Sequence, residues 1–390
     1  MQIVLQCVLL GAIVLLLYSY LFYPVLMLWI GRNLGNKAAA GANVDIAPDT
    51  ASLPLVAVIV AAFNEEKHIA ARIENLLQQD YPPERFHILV GSDGSTDRTV
   101  ELARAFSDTR LTVLDFPVNR GKASVLNDCV AQTTADVLVF TDANTVFKRD
   151  TMLQLAMAFD DKTGAVCGDL ILEGQGNGSN QDHQYWSIER RLKMAESSIG
   201  GLLGANGGVY AIRRECYREL RPDTICDDFV IAMNIAAARK GLRYVPAAVA
   251  YEESPADVIV EFHRRVRIGI GNYQALFWHP RYLLSGSWAL SFTYVSHKVL
   301  RWLTPHLLLL VLACSILLAT HPVYRAMAIV QCVAYATALL VFVSRNRIAW
   351  PGFILSALFF AVLNVAFLSS FKRFVAADYR GSWRRTERGG

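Results

Sequence analysis

An uncharged apolar stretch from Ile3 to Ile30, and three more at roughly 303–319, 324–343 and 351–371, leave this chain few ways to fold. About 20 apolar residues suffice to cross the ~30 Å hydrocarbon layer of a bilayer, where only helices or closed barrels satisfy their own backbone. Residues 1–32 read as a retained helix. The competing reading, a cleaved signal peptide, calls for a basic start, a shorter apolar run and a small-residue cleavage site, and this start has none of them.

Over 390 residues the hydrophobic share is 53% and the mean hydropathy +0.29, more than a soluble α/β domain needs to fill its core. Charge, glycine and loop residues concentrate instead in residues 50–260, a length that suits one globular domain with its own core. A net charge of +4 is too small to argue for a nucleic-acid partner. The basic residues gather beside the apolar blocks: Arg264, Arg265, Arg267, Arg281, Lys298 and Arg301 stand among Trp278, Trp288 and Trp302. Residues 261–302 therefore read as amphipathic helices lying against anionic lipid, with a plain solvated collar as the equal alternative.

Residues 303–371 form the C-terminal transmembrane region, and 372–390 a basic tail with Lys372, Arg373, Arg380, Arg384, Arg385 and Arg388. Three full spans after a cytoplasmic domain would carry that tail outside, whereas basic flanks are retained in the cytoplasm. Either one block is re-entrant or interfacial, or 283–296 also enters the membrane. The seven cysteines are scattered, with no Cys-x-x-Cys pair and no histidines at ligand spacing, so they indicate neither disulfides nor zinc and fit a reducing cytosol.

The central domain alternates strand and helix. Leu55 to Val60 is short, apolar and β-branched, the pattern of a buried parallel strand, and it runs into Ala61-Ala62-Phe63-Asn64-Glu65-Glu66 and a helix through Ile69, Ile73, Leu76 and Leu77. A second strand, Phe86 to Val90, runs into Gly91-Ser92-Asp93-Gly94-Ser95-Thr96-Asp97. The Asp93 carboxylate there can accept hydrogen bonds from a base or ribose, while Asp97 suits a helix cap better than a ligand. Ligands of open α/β sheets sit outside the carboxyl ends of parallel strands, where both segments emerge.

Asn119-Arg120-Gly121-Lys122-Ala123 opens a third helix, which makes Lys122 either a phosphate contact or a solvated surface charge. Val137 to Phe140 is a strand ending in Thr141-Asp142-Ala143-Asn144, a pair of oxygen-bearing side chains that suits a hard divalent cation or an Asx turn. Farther on come Gly204-Ala205-Asn206-Gly207-Gly208-Val209-Tyr210 and the carboxylate pair Asp227-Asp228. Mutual repulsion and burial raise one pKa of such a pair, as a general base needs, and Asp227 can also cap the helix that follows.

In order and spacing these segments resemble the family 2 glycosyltransferases over roughly residues 54–300. The resemblance implies an α/β, GT-A-type domain with a mostly parallel sheet between N- and C-terminal transmembrane helices. It implies nucleotide contacts at Phe63, Asn64, Glu65, Asp93, Lys122 and Asp142, and a Mg²⁺ or Mn²⁺ site on Asp142 and Asn144. The second of those positions departs from the family's D-x-D, because an amide stands where the family has an acid. Asp228 takes the part of the general base, and Asn206, Gly207, Asp227, Arg264 and Arg267 face acceptor and diphosphate. Processive members carry Q-x-x-R-W, whereas Arg264-Arg265-Val266-Arg267-Ile268 retains only the arginine, which argues against processive synthesis.

The expected activity is inverting transfer from a nucleotide sugar, a UDP-sugar first, to a lipid-linked or glycan acceptor in exopolysaccharide or cell-surface glycan synthesis. Its expected setting is a bacterial inner membrane, with the catalytic domain in the cytoplasm, membrane lipids around it and polysaccharide assembly proteins as companions. Two alternatives stand beside it: a processive polysaccharide synthase, and a membrane-tethered nucleotide-binding scaffold without turnover.

Overall fold

The computed structural model describes residues 1–39, 52–173, 179–253, 258–284, 287–345 and 347–379. The basic positions Arg380, Arg384, Arg385 and Arg388 lie outside the described residues. In chain order the elements are α1 (Gln2–Leu17), a π-helical stretch (Tyr18–Phe22), α2 (Tyr23–Ala39), β1 (Val56–Ala62), α3 (Ile69–Leu77), β2 (Phe86–Asp93), α4 (Thr99–Arg104), β3 (Leu111–Phe116) and α5 (Lys122–Ala131). They continue with β4 (Val137–Asp142), β5 (Thr145–Phe147), α6 (Thr151–Met157), β6 (Thr163–Glu173), α7 (Ser179–Ser198), β7 (Tyr210–Arg213), α8 (Asp227–Ala237) and β8 (Gly241–Glu253). The chain closes with α9 (Val258–Trp278), α10 (Trp288–Thr293), a second π-helical stretch (Tyr294–Val299), α11 (Leu300–Leu317), α12 (Pro322–Ser344) and α13 (Gly352–Val375).

One sheet runs in the order β3-β2-β1-β4-β7-β6-β8-β5. Its first four strands are parallel. The β1 residues alternate between two apolar layers: Val56, Val58 and Val60 pack with Ile69, Ile73 and Leu76 of α3 on one face. On the other, Ala57, Ile59 and Ala61 pack with Val125, Leu126 and Cys129 of α5. Burial on both faces is why the strand reads as an unbroken apolar run. β1 is laddered to β2 and β4 together, with Ala61 opposite both Gly91 and Asp142. Pairing continues past the apolar residues, with Asp142 opposite Ala61 of β1 and Asp93 opposite Phe116 of β3, so these two are the last residues of their strands and emerge at one edge.

Among the described residues, four helical stretches are long and apolar enough to cross a membrane: Gln2–Asn33, Trp288–Leu317, Pro322–Ser344 and Gly352–Val375. The helix that includes residues 288–302 is thus continuous with the apolar block beyond it. The first two of these stretches meet through their π-helical turns, where Tyr18 Oη and Ser296 Oγ share a hydrogen bond of 2.8 Å and Tyr20 Oη and Thr304 Oγ1 one of 3.1 Å. Below these, Glu196 of α7 accepts from Tyr23 Oη at 2.7 Å and lies 2.5 Å from His297 Nδ1. Glu189, one face along the same helix, meets His297 Nε2 at 3.2 Å and Arg301 at 2.7 Å. Each buried carboxylate is paired, the condition under which burial of charge is tolerated, and the central domain is thereby tied to both membrane segments.

α9 runs beside α13, with Val266 and Ile270 packed on Ala366 and Phe277 stacked on Phe374. Phe360 of α13 meets Tyr20, the partner of Thr304, while Phe371 meets His306.

Candidate functional site

Four charged side chains converge at the edge where the parallel strands end. Lys122, the first residue of α5, points its Nζ at Asp142 Oδ1 at 2.8 Å and at Asp227 Oδ2 at 3.4 Å. Burial by itself disfavours the ammonium, but Asp142, Asp227 and Asp228 outweigh it and hold the Lys122 pKa above the ordinary lysine value. Asp227 and Asp228 open α8, and the Phe229 amide donates to Asp228 Oδ1 at 2.7 Å. Burial, and then repulsion from Asp227, push the Asp228 carboxyl up to about 6, against the pull of Lys122 and that amide.

Gly207 sets the width of the site. A Cβ on it would lie 3.2 Å from Asp228 Oδ2 and 3.8 Å from Asp142 Oδ2, so any side chain there fills the gap between the two carboxylates. Its neighbour Asn206 is held by three contacts: its amide nitrogen donates to Gly168 O at 2.7 Å, its backbone N–H meets Cys167 Sγ at 3.2 Å, and Lys193 donates to its Oδ1.

Asp93 is fully buried, and its two oxygens accept from the backbone N–H groups of Arg120 and Gly121, each at 2.8 Å. Its contacts thus hold the turn that delivers Lys122. Asn64 and Glu65, after the end of β1, lie against the turn that follows β2. Asn64 takes a left-handed φ of 55° and accepts from Thr96 N at 2.8 Å, and Glu65 N donates to Thr99 Oγ1 at 2.8 Å. Asp97 accepts from Thr99 N at 3.0 Å and from Glu66 N at 3.2 Å, contacts made before α4, whose N-cap is Arg98 and not Asp97.

Arg264 and Arg267 lie on α9. Arg264 pairs along its own helix with Glu261 at 3.3 Å. Arg267 adjoins Ile268, whose carbonyl meets the Cys226 thiol at 3.6 Å, so it stands next to the segment that leads into Asp227.

Three residues escaped the sequence reading. Arg72, 1% exposed, donates to Thr141 Oγ1 at 2.7 Å, and Thr141 in turn donates to Gly208 O at 2.7 Å, binding the end of β4 to the Gly207 segment. Its signal was there: Arg72 falls at helical spacing on the apolar face of Ile69, Ile73 and Leu76. Lys193 and Glu252 had none, because each reaches the site from an element distant in sequence. Asn144 Nδ2 donates to Glu252 Oε1 at 3.3 Å.

Among the described residues no group of three or more His, Cys, Asp or Glu is arranged to hold a metal. Asp142 and the Asn144 carbonyl oxygen still suit a hard divalent cation in kind, as two oxygen donors whose set a diphosphate would complete.

Lys122→Met leaves the buried carboxylates uncompensated and is expected to cost about 3 kcal/mol of folding stability, the low end for a broken buried pair because Asp142 is partly exposed. Without the ammonium the folded-state carboxylate pKa values rise, so stability falls as pH increases, and the deficit is greatest near pH 8 and shrinks toward pH 5. Thermal unfolding in detergent across that range measures it, and adding Asp227→Asn is expected to recover part of the loss.

Residues 57–221 match the Glycosyl transferase family 2 profile. A poly-β-1,6-N-acetyl-D-glucosamine synthase of Staphylococcus epidermidis is 24% identical over 275 residues, 66% of each chain. A β-monoglucosyldiacylglycerol synthase of Nostoc sp. is 25% identical over 239 residues, 57% of this chain and 50% of the relative. The chain thus spans about two thirds or less of the length of these relatives. A mannosyltransferase from Pyrobaculum calidifontis, solved with GDP-Man and Mn²⁺, superposes with a TM-score of 0.70 at 22% identity, covering 95% of this chain and 99% of that one. The sheet whose edge gathers Lys122, Asp142, Asp227 and Asp228 is therefore that of a GT-A fold, and the segment that matches the family 2 glycosyltransferase profile lies between helices long and apolar enough to cross a membrane.

Proposed function

We propose that the protein transfers a sugar, with inversion, from a nucleotide sugar to a lipid-linked or glycan acceptor at the cytoplasmic face of a bacterial inner membrane, in exopolysaccharide or cell-surface glycan synthesis. The observation that carries this reading is the convergence of Lys122, Asp142, Asp227 and Asp228 about the gap kept open by Gly207, inside a family 2 domain.

The chemistry follows from the charges. Asp228, with a carboxyl pushed up to about 6, is ionised at neutral pH yet basic enough to accept a proton. It takes the proton of the acceptor hydroxyl as that oxygen bonds to the anomeric carbon. The bond from that carbon to the diphosphate breaks on the opposite side, and the nucleoside diphosphate leaves with the electron pair. Lys122 is the resident cation nearest the developing charge, and Arg267 approaches from α9. A bound Mg²⁺ or Mn²⁺, held by Asp142 and the Asn144 carbonyl oxygen, supplies further neutralisation of the diphosphate. Phe63, Asn64, Glu65 and the Asp93 turn border the nucleoside, and Asn206, Asp227 and Arg264 the acceptor side.

Orientation follows from the basic residues. Lys372 and Arg373 end α13, whose last turns pack on α9 and hence beside the central domain. If α13 lies along the interface and three apolar stretches cross, those cations and the catalytic domain share the cytoplasmic side. A cysteine introduced at Lys372 is then labelled from the same side as one at Arg239, and one at Ala319, between α11 and α12, from the other. Labelling of positions 372 and 319 from one side would overturn this arrangement.

Detergent-purified protein, given membrane lipid extract as acceptor and a panel of UDP-, GDP- and dTDP-sugars, is expected to release nucleoside diphosphate from one donor. Release should need Mg²⁺ or Mn²⁺, stop with EDTA and fall about a thousandfold in Asp228→Asn. Because the base works only when deprotonated, turnover should decline as pH drops through about 6, not near 4, the ordinary aspartate value. Nucleotide binding without release from any donor would favour the scaffold reading, and long polymer made without a primer the processive one.

A further inference from the structure

We infer that Glu252 is a positioning residue that makes an amide serve where the family's motif has an acid. The inference rests on the proposed role of Asn144 as a metal ligand.

A carboxylate offers a cation either oxygen. A carboxamide offers one edge that attracts a cation and one that repels it, so an asparagine ligand works only if something fixes which edge faces the metal. Second-shell partners that orient ligands in this way are worth about 10- to 100-fold in metal affinity. Here the Asn144 nitrogen donates to Glu252 Oε1 at 3.3 Å, which turns the N–H edge toward β8 and leaves Oδ1 on the opposite edge of the amide. Glu252 is well placed for this. It is 8% exposed, and the β5–β8 ladder sets it directly opposite Thr145, the residue after Asn144. Its acceptor is therefore supplied by a strand fixed in register. An acid at 144 would instead set a carboxylate against Glu252 with no proton between them.

The test is Mn²⁺ binding with nucleoside diphosphate present and no sugar to transfer, read from the loss of the free-ion electron paramagnetic resonance signal. Glu252→Met, which removes the acceptor, is expected to weaken Mn²⁺ binding about tenfold or more. Glu252→Gln, which keeps an acceptor oxygen but no charge, should stay within about threefold of the unmodified protein, because orientation and not charge is what Glu252 supplies. In an Asn144→Asp background, where the ligand has no wrong edge, Glu252→Met should strengthen binding.

Equal weakening by Met and Gln, or weakening by Met in both backgrounds, would overturn the inference. Normal binding by Glu252→Met would do the same, and if Asn144→Ala also bound Mn²⁺ normally, the metal-ligand reading itself would fall. Normal binding by Glu252→Met alongside weak binding by Asn144→Ala would overturn only the part given to Glu252.

Discussion

The parallel ladder of β1 with β2 and β4 sets where everything else must go. Because Ala61 lies opposite both Gly91 and Asp142, the strands end nearly level, and the segments that follow them open on one side of the sheet. Asp93 then fixes the backbone of Arg120 and Gly121, so that the first residue of α5, and with it the Lys122 ammonium, reaches the carboxylate that ends β4. A register shift by one residue would turn these side chains to the other face and dissolve the site.

The site concentrates like charges, and its stability depends on how they are balanced. Three carboxylates about one ammonium leave a net negative centre, which adds to burial in raising the Asp228 pKa and disposes the site toward cations. The same balance recurs where the domain meets the membrane segments, with Glu189 and Glu196 set against His297 and Arg301. In both places the pairing is between distant parts of the chain, so it fixes tertiary arrangement as well as satisfying charge.

Much of this was legible beforehand because it is local. The apolar runs of β1, β2 and β4, the turns after them, Lys122 at a helix start and the Asp227-Asp228 pair all read directly from short segments. The strands extend farther than their apolar residues, because β3 pairs with β2 as far as Asp93 and β1 pairs with β4 as far as Asp142. Contacts between distant segments were not legible. Glu252 reaches Asn144 only through the β5–β8 register, and Lys193 reaches Asn206 only because α7 lies over the Gly207 segment. Arg72 lay in plain view on an apolar helix face, and its use became clear only when Thr141 and Gly208 were brought beside it. Arg264 shows the converse, a motif position that forms an ion pair with Glu261 on its own helix.

On the proposed reading, with Asp228 as the base and Lys122 nearest the leaving diphosphate, transfer is a single displacement, and that implies one stereochemical outcome. The anomeric configuration of the first product, read from the ¹H coupling of its new glycosidic linkage and compared with that of the donor, tests this most directly. Inversion is the expected result. Retention would require a covalent or front-face route for which Asp228 as base has no place, and would contradict the account.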